Sequence, residues 1–166
     1  MKKGLRIWAL LAVFIGLSGL LAGCRTVTQR ANTADTWAKV KQQKKVVVGL
    51  DDSFVPMGFR QKSGKLVGYD IDLARAVFKL YGIKVDFQTI DWNMNVTELH
   101  NGTIDLIWNG FSITPQRQKQ AAFSDTYLYN DQVLVTLKKN KIKSFADMQG
   151  KVLGAQTGSS GANDID

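Results

Sequence analysis

Apolar and polar positions alternate in register along most of the chain, but the first apolar block has no polar face. Ile7 to Leu21 is broken only by Gly16, Ser18 and Gly19. Arg25 to Thr36 is polar and lacks an apolar period, which predicts a tether, and Trp37 to Lys44 can make one or two helical turns. At Val46 the pattern changes to "VVVGL", a continuous β-branched run suited to a strand covered on both faces, as in a parallel sheet. Ser63-Gly64 then separates two short extended pieces and predicts a hairpin. Ile71, Ala74, Val77, Phe78 and Tyr81 recur at three- and four-residue steps and predict an amphipathic helix from Asp70 to Tyr81. Asp70 or Asp72 suits its positive N-terminus, and Gly82 its C′ position.

The rest of the chain reads as strands and helices in alternation. "IKVDFQ" is a strand, Asn93 to Asn101 a short helix stopped by Gly102, and "IDLIW" another strand. "TPQRQKQAA" is a helix with Pro115 at its start, and Gln132 to Lys138 a strand. "SFADMQ" is a short helix capped by Ser144, and "KVLGAQ" a strand before the loop "TGSSG". This order predicts an α/β architecture with mainly parallel sheets. Residues 132–166 are too few to bury a core of their own, so the expectation is a chain that stops inside a second lobe.

Charge and cysteine content alter the reading of the N-terminus. Lys2, Lys3 and Arg6 precede the apolar block, which is short for a membrane span and reads as a secretory signal. It ends in "LAGC", where Cys24 is the single cysteine of the 166 residues. This resembles a bacterial lipobox, implying cleavage before Cys24 and acylation of its thiol and new amino group, which would anchor the chain to a membrane. The formal charge of +8 invites a nucleic-acid partner, but residues 1–45 hold nine Lys or Arg against one acid, Asp35, and account for the whole excess. Beyond residue 45 the charges balance, which excludes a basic face for nucleic acid and favours an anionic lipid surface beside the tether.

Candidate chemistry gathers at predicted strand ends. In doubly wound sheets ligands sit where strand carboxyl ends lead into helices. "NGFSITPQR" occupies such a place, where Arg117 can grip a carboxylate with two parallel hydrogen bonds and Ser112 adds polar groups. Read alone, Arg117 is a solvated helix residue. "AQTGSSG" repeats the arrangement with Ser159 and glycines on either side of it, as an anion cradle or merely a capped turn. Asp51 can take an ammonium, and Phe54 and Trp92 can cover an aliphatic part, although core packing is the ordinary role of such aromatics. No HExxH, CxxC or GxSxG occurs, and the sole histidine, His100, suits a helix C-terminus, so neither metal, cofactor nor catalytic residue is expected.

Taken in order, "DDSFVPMGF", "GYDIDLA", "NGTIDLIWNGFSITPQR", "FSDTYLYNDQVLV" and "MQGKVLGAQTGSSG" resemble the bacterial extracellular solute-binding proteins of the amino-acid ABC importers, from Val46 to the end. The resemblance implies a periplasmic-binding-protein-like type II fold of two lobes. Its implied plan is a signal at 1–23, a lipid-anchored tether at 24–45, a first lobe at 46–131 and an incomplete second lobe at 132–166. It implies that Arg117 clamps the ligand α-carboxylate, that Gly110 and Ser112 meet the α-amino and carboxylate groups, and that Phe54 and Trp92 flank the side chain. Asp51 would be a polar contact, and Ser159 with its neighbouring amides would close from the second lobe. The implied function is capture of a polar amino acid (glutamine, cystine or a cationic one) by hinged closure near Tyr129 to Val133 and delivery to membrane permease subunits. The protein would act as an extracytoplasmic monomer, at the outer face of the cell membrane in a Gram-positive source. Two rivals share the lobes: an enzyme, such as a lyase or lytic transglycosylase, and a ligand-sensing input domain.

Overall fold

The structure is a computed structural model that describes residues 35–165. The expectations for the signal, for Cys24 and for most of the tether lie outside the described residues. From Asp35 onward the chain forms one compact unit.

Helix α1 (Trp37–Gln43) leads directly into strand β1 (Lys45–Leu50), the β-branched run. Val46, Val48 and Leu50 are almost wholly buried on one face, while on the other Val47 is half-buried and Gly49 lies buried against Ile90 and Ile104. A small antiparallel sheet follows, built from β2 (Ser53–Phe54), β3 (Gly58–Arg60) and β4 (Leu66–Val67), with Ser63-Gly64 at the turn between the last two. Helix α2 (Tyr69–Leu80) buries Ile71, Ala74 and Phe78 on one face, and Gly82 takes the left-handed conformation (φ +63°) just past its end. Strand β5 (Lys84–Thr89) pairs in parallel with β1 along its whole length. A 3₁₀ turn (Trp92–Met94) and helix α3 (Asn95–Asn101) lead to β6 (Leu106–Ile107), which pairs in parallel with the other edge of β1. Val40, Val46, Val48, Phe78 and Ile83 form the packed cluster on one side of the sheet.

The sheet order β5-β1-β6 positions the site. The chain leaves β1 toward one side and returns on the other, so the loops after β1 and β6 diverge and leave a crevice at their carboxyl ends. Helix α4 (Pro115–Gln118) follows that crevice, with Pro115 at its first position and the Thr114 hydroxyl accepting from Arg117 N.

Four expectations need correction. "IDLIW" is a strand only over Leu106–Ile107, and "TPQRQKQAA" is helical only over Pro115–Gln118. Residues 132–138 and 151–156 are not strands: 132–137 and 151–156 carry no regular secondary structure, and Lys138–Asn140 is a 3₁₀ turn. A β-branched run becomes a strand only when a neighbour takes its backbone hydrogen bonds. Here none does among the described residues, and Val133, Val135, Leu137 and Val152 remain exposed. The last two elements are a 3₁₀ turn (Phe145–Met148), at whose start Asp147 accepts from Ser144 N, and the short helix α5 (Ser160–Asn163) with Ser159 as its cap.

Candidate functional site

A cavity of about 370 Å³ opens at the carboxyl ends of β1, β5 and β6. Asp51, Phe54, Trp92, Gly110, Ser112, Arg117 and Ser159 all line it. These seven residues come from four places: the loop after β1, the 3₁₀ turn after β5, the segment from the end of β6 into α4, and the cap of α5.

Arg117 is the more deeply buried of the two charged residues that line the cavity, at 7% exposed. Its Nη1 donates to the Ser112 carbonyl at 3.1 Å and its Nη2 to the Gly158 carbonyl at 3.0 Å. The guanidinium lies over the Phe111 ring, 4.1 Å from the ring centre, and Phe111 is itself stacked on Phe123 and met edge-on by Trp92. Thus Trp92 has a structural role, bracing the platform under the guanidinium, as well as a face on the cavity. Burial lowers the pKa of Arg117, yet a guanidinium stays charged at physiological pH. Among the described residues no carboxylate lies within ion-pair distance of it.

Asp51 begins the loop after β1, where its N–H donates to Asn109 Oδ1 at 3.0 Å. Burial would raise its carboxyl, but hydrogen bonds from the Ser53 hydroxyl and N–H and from Gln156 outweigh that and hold it below the usual range. The Gln156 contact, 2.6 Å to Oδ2, reaches Asp51 from the segment before the last loop. Ser159 caps α5 by accepting from Ala162 N at 3.0 Å, which occupies its hydroxyl locally. Ser112 Oγ and Ser160 Oγ are 3.4 Å apart, and Gln132 Nε2 donates to Ser160 Oγ.

Two glycines are required by geometry. Gly110 has φ +57°, and a Cβ there would sit 3.0 Å from Phe54 Cε1. Gly158 has φ +74°, and a Cβ would fall 2.8 Å from Asn93 Cα, so the last loop packs backbone to backbone against the turn carrying Trp92.

Sequence reading missed Asn109, Gln132 and Gln156, which line the cavity, and the role of Asp70 beneath it. Asn109 is 1% exposed and its Nδ2 has no hydrogen-bond partner among the described residues. Its position immediately before Gly110 was the available signal. Asp70 was visible only as a helix-terminal acid, yet it accepts from Gly110 N at 2.7 Å and from the Tyr127 hydroxyl at 2.9 Å. Trp108 Nε1 is near enough to lower the Asp70 pKa, but it meets no acceptor in hydrogen-bond geometry among the described residues. His100 lies away from the cavity, with Nε2 2.6 Å from the Gln120 carbonyl.

Comparison with known proteins places this geometry in a family. Residues 46–159 match the family described as bacterial extracellular solute-binding proteins, family 3. The arginine-binding extracellular protein ArtP of Bacillus subtilis is 32% identical over 84% of this chain and 54% of its own length. The L-cystine-binding protein TcyA of the same organism is 34% identical over 86% of this chain and 56% of its own. A crystal structure of an ABC uptake transporter substrate-binding protein from Streptococcus pneumoniae with bound histidine superposes with a TM-score of 0.79. It is 53% identical and covers 80% of this chain and 54% of its own. The chain therefore spans about half the length of these relatives. It belongs to the bacterial extracellular solute-binding proteins, family 3, and its α/β fold with a parallel central sheet is of the periplasmic-binding-protein type II kind.

Proposed function

From that membership we propose that the chain carries the ligand cleft of an extracytoplasmic substrate-binding component of an ABC importer for a polar amino acid. One observation carries the reading: Arg117 is buried on the wall of an amino-acid-sized cavity, and among the described residues its guanidinium has only carbonyls as hydrogen-bond partners. Removing an ion from water costs several kcal/mol after relaxation, and neutral carbonyls offset part of this. A ligand carboxylate would complete the site with two parallel, charge-assisted hydrogen bonds. The α-ammonium would meet Gly110 and the ionised Asp51, with the side chain between Phe54 and Trp92 and Ser159 closing from the other wall.

The lining supports a polar ligand, since Asp51, Asn130, Gln132, Gln156 and Ser160 offer donors and acceptors around the two aromatic faces. Arginine, cystine and histidine, named for the relatives above, join glutamine as candidates. Residues 46–131 would form one lobe and 132–165 part of the other, with the crossing near Tyr129 to Val133 as the hinge of closure. The protein would work as a monomer held to the membrane through Cys24, presenting the closed form to permease subunits.

We read the cleft as binding rather than catalytic. Asp51 is kept ionised by Ser53 and Gln156, and the described lining holds no His, Cys, Lys or Glu to trade protons with a substrate. The test is calorimetric titration of the full chain with the twenty amino acids and cystine. Saturable binding of a polar or cationic member is the expected result. Binding of none would overturn the proposal.

A further inference from the structure

Asp70 is fully buried, at 0% exposed, and does not touch the cavity. The binding scheme gives it nothing to do. Its neighbour Asp72 is exposed and lies in the same first turn of α2, where it can complement the helix N-terminus from solvent. Placing a second carboxylate inside therefore needs another reason.

Its contacts supply one. Oδ2 accepts from Gly110 N, and Oδ1 from the Tyr127 hydroxyl. The Asp70 N–H donates to the Met57 carbonyl. Gly110 belongs to the segment that turns from β6 toward Ser112 and Arg117, and its left-handed backbone would not hold its amide in one direction unaided. Tyr127 is clamped between Tyr69, stacked at 6.5 Å, and Trp108, tilted at 6.1 Å. The residues immediately after it, Leu128, Tyr129 and Asn130, line the cavity. One buried carboxylate thus hydrogen-bonds to two segments that also meet through the Trp108–Tyr127 ring contact, and each supplies a wall of the cleft.

We propose that Asp70 is a positioning residue for ligand binding, setting the spacing between the Gly110 wall and the Leu128–Asn130 wall through its two oxygens. This rests on the cavity being an amino-acid cleft. Hydrogen bonds to a charged acceptor are roughly twice as strong as neutral ones, and losing either donor strands a buried charge. Burial raises the Asp70 carboxyl above the usual range, and the Tyr127 and Gly110 donors oppose that rise.

The experiment uses the full chain, with L-arginine, L-histidine and L-cystine as probes and amide NMR as the second readout. Tyr127→Phe removes one hydroxyl and leaves the fold's apolar contacts. It is expected to shift the amides of residues 128–130 and to weaken the best probe about tenfold, or 1.4 kcal/mol. Asp70→Asn keeps the shape but offers Gly110 a neutral acceptor, and should move the Gly110 amide proton upfield while weakening the probe by a similar factor. Because both variants act on one network, their effects should not add in the double variant. Wild-type affinity in Tyr127→Phe, or an unmoved Gly110 amide in a folded Asp70→Asn, would overturn the assignment. If Asp70→Asn does not fold, Tyr127→Phe decides alone. Should the wild type bind no probe, the reading of the cavity fails, and the 128–130 and Gly110 shifts still decide whether Asp70 joins the two walls.

Discussion

Arg117 Nη2 donates to the Gly158 carbonyl at 3.0 Å, across 41 positions of sequence. The bond ties the guanidinium on α4 to a loop whose left-handed glycine lies against the backbone of Asn93. The proposed clamp is therefore held from both walls of the cavity, and a ligand carboxylate would have to share or replace this carbonyl.

Arg117→Ala should weaken amino-acid binding by roughly 30-fold or more, because truncating one partner of a buried charge pair costs about 2–5 kcal/mol. Arg117→Lys should recover only part of the loss, since an ammonium cannot form the planar fork. Calorimetry across several ligands checks this. Normal affinity in the alanine variant would place the anchor elsewhere.

Phe54→Ala and Trp92→Ala should change the ranking among ligands, whereas Arg117→Ala should weaken all of them alike. Every amino acid carries the carboxylate, but only the side chain meets the aromatic faces. Trp92 also braces Phe111 edge-on, so its loss should cost stability as well. Competition titrations with one cationic and one neutral ligand separate the two behaviours.

Gly158→Ala should destabilise the chain more than Gly64→Ala. Both positions have positive φ, for which an alanine costs about 1–2 kcal/mol. At Gly64 nothing lies within 4 Å of an added Cβ, whereas at Gly158 it would fall 2.8 Å from Asn93 Cα, and backbone must shift. Urea unfolding midpoints give the comparison. Equal losses would show that the loop does not pack on that turn.

Asp52 is held below the usual carboxylate range by the Thr89 hydroxyl first and by Arg60 second. Its folded pKa is below its unfolded one, so the unfolded chain binds more protons. The stability it confers is present above about pH 4 and is lost as pH falls through the folded value. Asp70, raised by burial, has the opposite sign and withdraws stability as pH rises out of the ordinary range. Asp52→Asn should therefore flatten the loss of stability on acidification, read as unfolding midpoints between about pH 6 and about pH 3. An unchanged acid limb would remove Asp52 from the account.

Cys24→Ser should abolish incorporation of labelled acyl chains and leave an unprocessed precursor, because the proposed acceptor is the thiol at the end of "LAGC". Undiminished labelling would end the lipoprotein proposal.

What the sequence determined by itself was local. The β-branched run at 46–50 is buried on both faces, the period of three and four from Ile71 to Phe78 made a helix, and Pro115 opened another after the hairpin at Ser63-Gly64. Such signals are legible because periodicity and backbone preference act within one element. The seven candidate residues were legible as loop positions after strands. Their meeting in one cavity follows from the order β5-β1-β6, which puts three strand ends side by side. Tertiary structure alone decided the rest. Asp70 reads as a helix-terminal acid until Gly110 and Tyr127, 40 and 57 positions away, are brought to its two oxygens. Gln156 reads as part of a strand until it meets Asp51, 105 positions away. The runs at 132–138 and 151–156 have strand composition without strand pairing, because a ladder needs hydrogen bonds from a second segment. A residue's own chemistry sets what it can bond, and only the packed chain sets which partner arrives.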